Sequence, residues 1–143
     1  MFQSVSESLA IGNLNSSEKL SEIAQQGYRT IVDLCTPPEG NQLNPEEVTQ
    51  LGFDYLSIPV FPKNLKPETL QTFIQAVDSA SQPIYIRCAS GLRAGMMALL
   101  TIAEKQAWTE QQYLEQWEAL GLENKPNSPL TSFVQEYFQA QSS

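Results

Sequence analysis

The sequence predicts a small α/β domain: a doubly wound, mainly parallel four-stranded sheet flanked by helices. Three observations carry the prediction. Short apolar or β-branched runs alternate with longer amphipathic segments, the pattern of βαβ units. Capping and breaking residues fall between those runs, where helices and strands must start and stop. The chain has 143 residues, 41% of them hydrophobic, which suits one core and a single domain over 1–143.

The elements follow in order. Ser8-Leu9-Ala10-Ile11 reads as a first short strand, ending at Gly12-Asn13. Asn15 is placed to cap a helix running to about Gln26, with Glu18 as its capping-box partner and Gly27 as the stop. Thr30 to Cys35 is β-branched and apolar, a buried strand that Thr36-Pro37-Pro38 ends because proline cannot donate to a ladder. Asn44-Pro45-Glu46-Glu47 opens a short helix that stops at Gly52, since proline suits the first helical position. Phe53 to Ile58 alternates as a strand does, and Pro59 to Pro62 turns the chain away. Leu70, Phe73, Ile74 and Val77 recur at helical spacing between Pro67 and Ser79. Pro83 to Arg87 is the clearest strand and runs directly into Cys88. A helix over about Ala94 to Lys105 follows, then one opened by a Thr109/Gln112 capping box, then one beginning at Ser128-Pro129.

Composition narrows the chemistry. Sixteen acids against 8 bases give a net charge of −8, with no basic patch, so neither nucleic acid nor an anionic membrane is an expected partner. The first residues lack the basic-then-apolar pattern of a signal peptide, no apolar run is long enough to span a bilayer, and the expected location is cytoplasmic. There is no histidine and there are only two cysteines, which argues against a zinc site and removes every mechanism with a histidine base. No metal or cofactor is expected.

The segment Arg87-Cys88-Ala89-Ser90-Gly91-Leu92-Arg93-Ala94-Gly95 lies between a strand and a helix, at the sheet edge where open α/β folds place ligands. Gly91 lets successive N–H groups turn inward, and the following helix N-terminus adds to that cradle. Arg93 supplies a permanently charged fork suited to two oxygens of one anion. Cys88 sits in the same positive field, which favours the thiolate, its nucleophilic form. A lone strand-end cysteine reads as packing. A Cys, a Gly and an Arg sharing one turn read as a site.

Those stretches, with Ser8 to Asn13, Gly27 to Leu34 and Tyr55 to Val60, resemble the beta-lactamase-hydrolase-like, phosphatase-like family of small bacterial proteins, related in fold to the protein tyrosine phosphatases. The resemblance covers about Ser8 to Leu122. It implies a Cys88 nucleophile, an oxyanion pocket from the backbone of Ala89, Ser90, Gly91 and Leu92, and Arg93 as the anion clamp.

The chain departs from the tyrosine phosphatase pattern in three places. Four residues separate Cys88 from Arg93 instead of five, an interval that resembles the loop of rhodanese-type sulfurtransferases. Arg87 stands where a histidine usually precedes the cysteine, and Ala94 where a hydroxyl usually follows the arginine; Ser90 substitutes only in part. The loop Pro59 to Lys66 holds no acid to protonate a leaving oxygen, a step typically worth about 10²–10⁴-fold in rate. Glu39 is the candidate general acid, against the plainer reading of a solvated loop carboxylate. Asp33 reads as a partner for backbone donors. Cys35 reads as a small buried hydrophobe, with a resolving thiol for Cys88 as the alternative.

The expected activity is therefore a cysteine-dependent phosphatase that acts on a small anionic substrate through a phosphocysteine. Two alternatives stay open: a sulfurtransferase working through a Cys88 persulfide, and a non-catalytic anion-binding module. Oligomeric state is not legible.

Overall fold

The computed structural model describes residues 1–142. Five strands form one sheet: β1 (Phe2–Ser4), β2 (Leu9–Gly12), β3 (Thr30–Asp33), β4 (Asp54–Ser57) and β5 (Ile84–Arg87), in the order β1-β2-β5-β3-β4. All neighbours are parallel except β1, which is antiparallel to β2 with Phe2 opposite Gly12 and Ser4 opposite Ala10. The expected sheet had four strands, so β1 is a correction. Its three residues are too few to show an alternating pattern, and what makes them a strand is pairing with β2 across the turn at Val5 to Ser8.

Alternation along the strands sorts side chains to two faces. On one face Ala10, Ile31 and Tyr85 pack with Leu20 and Ile23 of α1 (Ser17–Gln25) and Val48 of α2 (Pro45–Gln50). On the other, Ile11, Val32, Ile84 and Ile86 pack beneath α3 (Pro67–Ser79) and α4 (Leu92–Gln106), joined by Tyr113 of α5 (Glu110–Ala119) and Phe133, Val134 and Phe138 of α6 (Pro129–Ser142). Helices cover both faces, as a doubly wound sheet requires.

Caps decide the helix ends. Asn44 Oδ1 accepts from Glu46 N–H and Glu47 N–H, Thr109 and Gln112 form their capping box, and Ser128 Oγ accepts from Leu130 N–H and Thr131 N–H. The cap of α1 is Ser16, whose Oγ accepts from Lys19 N–H, one residue after the expected Asn15. Helix α4 begins at Leu92 instead of Ala94, because Gly91 is its cap with φ +89°. That shift places Arg93 within the first helical turn.

Candidate active site

Cys88 leaves the end of β5 with its N–H bonded to Gly12 O (3.2 Å), so the adjacent strand fixes where the thiol starts. The turn then folds back on the sulfur: Gly91 N–H and Ala94 N–H donate to Cys88 Sγ at 3.1 and 3.4 Å. Gly91 makes this possible, since its left-handed φ is strained for any residue with a Cβ. The N–H groups at the start of α4 have no helical acceptor and carry partial positive charge, and two N–H groups of this turn point at the sulfur. Ala89 and Ser90 are exposed at the crest of the turn, and Ser90 Oγ accepts from Leu92 N–H at 3.3 Å.

Arg93 is buried and held from three sides. Its Nη1 donates to Val60 O (3.0 Å), to Leu34 O (3.4 Å) and to Glu39 Oε2 (2.9 Å), while Nη2 donates to Glu39 Oε1 at 2.6 Å. The ends of β3 and β4 thus aim the guanidinium, and Glu39 takes its fork with both carboxylate oxygens. Glu39 also accepts from Thr36 N–H (2.6 Å) and Thr36 Oγ (2.7 Å), the capping box of a 3₁₀ turn over Pro37–Glu39. The Arg93 hydrogen bonds above all pull the Glu39 carboxyl down to about 2. In this arrangement Glu39 is ionised at neutral pH and has no proton to give. The carboxylate expected as a general acid is therefore engaged here as an internal anion on the Arg93 guanidinium.

The residue before the nucleophile has a different task. Arg87 is fully buried on the α1/α2 face and donates through Nη1 to Asp33 Oδ1 (2.9 Å) and to Asn41 O (2.8 Å). Asp33 is equally buried and also accepts from Cys35 N–H (3.2 Å), Leu43 N–H (2.9 Å) and Tyr55 Oη (2.8 Å). It binds backbone donors, as its place at a strand end predicts, and with Arg87 it ties down the 34–44 segment that carries Glu39. Cys35 is fully buried in that segment, and burial chiefly pushes its thiol up to about 11, so it stays protonated at neutral pH. That environment suits packing.

A cleft of about 410 Å³ opens over the loop, walled by Thr36, Glu39, Pro62, Ser90, Leu92 and Arg93 on one side and by the segment Lys125 to Leu130 on the other. Cys88 itself lies under this surface, with no exposed area. Sequence reading missed Thr36 and the Lys125–Leu130 wall. Thr36-Pro37-Pro38-Glu39 does carry a capping-box signature, three residues apart with proline at the first position. The wall left no local signal, because only tertiary packing brings the start of α6 to the loop. Among the described residues no helix is long and apolar enough to cross a membrane.

Known proteins share this fold and family. The DUF442 protein of Shewanella putrefaciens CN-32, provisionally named a phosphatase, superposes with a TM-score of 0.74 at 25% identity, over 98% of this chain and 91% of that one. TpbA of P. aeruginosa superposes with a TM-score of 0.78 at 16% identity, over 99% and 96%, which shows a shared tyrosine phosphatase-like fold. The Beta-lactamase hydrolase-like protein of Xylella fastidiosa (strain Temecula1) is 26% identical over 102 residues, 68% of this chain and 24% of that protein. The chain therefore spans about a quarter of the length of the curated relatives it matches. The profile of the family described as "Beta-lactamase hydrolase-like protein, phosphatase-like domain" matches residues 1–106. The chain belongs to that phosphatase-like family.

Proposed function

We propose that the chain is a cysteine-dependent phosphatase for small anionic phosphomonoesters. One observation carries the reading: a sulfur that accepts two backbone N–H groups and a buried, fork-presenting arginine share one strand-to-helix turn. TpbA, a protein of the same fold, forms a complex with pTyr, which supports a phosphoryl ligand here.

In the reaction the substrate's phosphoryl oxygens replace Glu39 on the Arg93 fork and take the loop N–H groups. The Cys88 thiolate attacks phosphorus, the ester P–O bond breaks, and its electron pair leaves with the departing oxygen, which takes a proton from solvent. Water then attacks the phosphocysteine, releasing inorganic phosphate and returning the thiolate. Arg93 and the loop donors act by holding charge that builds on the equatorial oxygens. The loop from Pro59 to Lys66 carries no acid to protonate the departing oxygen, so turnover depends on leaving groups that are stable as anions.

A second reading rests on the four-residue interval between Cys88 and Arg93 and on the missing proton donor. Here the Cys88 thiolate attacks the outer sulfur of thiosulfate, the S–S bond breaks, and sulfite leaves with the electron pair. No proton is needed. The test is phosphate release from aryl phosphates together with intact mass after thiosulfate, for wild type and Cys88→Ser. Phosphate release lost in the variant supports the phosphatase. A mass gain of one sulfur on wild type alone, without phosphate release, replaces it with sulfur transfer. Anion binding with neither reaction in wild type leaves only a binding module.

A further inference from the structure

A second hollow of about 260 Å³ runs beside the cleft, between the first turns of α4, helix α5 and the start of α6. Its walls are apolar and partly aromatic: Leu92, Met96, Tyr113, Leu114, Trp117 and Val134. Tyr113 and Trp117 are stacked with ring centroids 6.1 Å apart and planes 22° apart. The hollow adjoins the cleft, and Leu92, Lys125, Ser128 and Leu130 line both. Leu114 opens onto it while 44% exposed, among the few large apolar side chains so placed on this protein.

We propose that this groove receives the uncharged aryl arm of the phosphomonoester whose phosphate sits on Arg93, an assignment that rests on the phosphatase reading above. The shared border gives the arm its route from Arg93, over Leu92 and past Ser128. Charge disfavours anionic arms: Glu110 and Glu123 line the groove, so a second phosphate or a carboxylate on the tail would meet like charge. The cation at the junction is Lys125, whose Nζ pairs only loosely with Glu123 (3.8 Å, both side chains more than half exposed) and is free to turn toward a phosphate. The chemistry of the first site points the same way. A site whose Pro59 to Lys66 loop carries no acid favours a leaving oxygen stable without a proton, and a phenol ionises near a pKa of about 10, far more readily than an alkanol. The groove's size suits one added ring system, below the roughly 300–1,000 Å³ of pockets for drug-sized ligands.

Phenyl phosphate and biphenyl-4-yl phosphate have leaving groups of similar acidity and differ in arm length. For wild type, kcat/KM should be at least tenfold higher for the biphenylyl ester, mostly through KM. Leu114→Lys, and more mildly Leu114→Ala, should bring the ratio toward one. Binding of both esters to the Cys88→Ser protein, followed by tryptophan fluorescence, reads the groove without turnover. Tighter binding of the longer ester by tenfold, with no hydrolysis of either by wild type, would uphold the groove and sink the phosphatase. Hydrolysis of both esters at rates within twofold, or a preference that Leu114→Lys leaves intact, would overturn the groove assignment and leave the phosphatase standing.

Discussion

Replacing Glu39 by Gln removes the charge from the internal anion on Arg93 and keeps its shape. A carboxyl held at about 2 instead of 4.5 corresponds to roughly 3 kcal/mol of folding stability at about 1.36 kcal/mol per decade. The residue as a whole is exposed but its side chain only 27% so, and screening trims the expectation to about 2 kcal/mol. For a chain of this size that is a loss of roughly 5–10 °C in Tm. The sign with pH is fixed by a carboxyl whose folded value is depressed. Its contribution is fully present above about 4.5 and fades as pH falls toward 2. The gap between wild type and Glu39→Gln in urea unfolding should therefore be constant from pH 7.5 to 5 and shrink to roughly half by pH 3. Because the variant no longer offers Arg93 a competing carboxylate, its affinity for inorganic phosphate should rise severalfold at pH 7. A gap below about 0.5 kcal/mol, the scale of a surface pair, or one unchanged at pH 3, would refute the clamp as described.

Four other outcomes follow from the same structure. Asp33→Asn leaves the fully buried Arg87 guanidinium without its counter-charge and should cost about 3–5 kcal/mol in urea unfolding; a cost under about 1 kcal/mol contradicts the pair's role. Gly91→Ala forces a Cβ into φ +89°, which should cost about 1–2 kcal/mol and depress turnover further by turning the 91 N–H off the sulfur. Since a Cβ there would also meet only the flexible end of the Met1 side chain, near-normal stability would mean the turn relaxes freely. For Cys35, a thiol raised from 9.0 to about 11 adds stability that is fully present below pH 9 and lost between 9 and 11. Cys35→Ala should remove that alkaline slope, and an unchanged slope refutes its assignment. Across phenyl phosphates of graded acidity, log kcat/KM should fall steeply as the leaving phenol becomes less acidic; a flat series would reveal a proton donor that the site does not display.

How much of this was legible in the sequence depends on the range of the interaction. Asn44 before Pro45, Thr109 three residues before Gln112, and Ser128 before Pro129 mark helix starts because a cap is a contact between residues two or three apart. Thr30 to Asp33 and Ile84 to Arg87 read as buried strands because both faces of a covered parallel sheet demand apolar or β-branched residues. Cys88, Gly91 and Arg93 stood out for the same reason: one short turn holds all three.

Interactions between distant residues needed the fold. Glu39 and Arg93 lie 54 residues apart, as do Asp33 and Arg87, and the parallel order β2-β5-β3 brings both pairs together. From the sequence, Glu39 was a carboxylate at the right edge of the sheet; only packing revealed that Arg93 takes its charge, and so whether it could hold a proton. The strand β1 exists because β2 offers it an edge, and the Lys125–Leu130 wall exists because α6 packs back on α4. Local chemistry fixes which segments are helix, strand and turn, whereas the protonation of a carboxylate and the shape of a cleft depend on neighbours that the order of residues does not name.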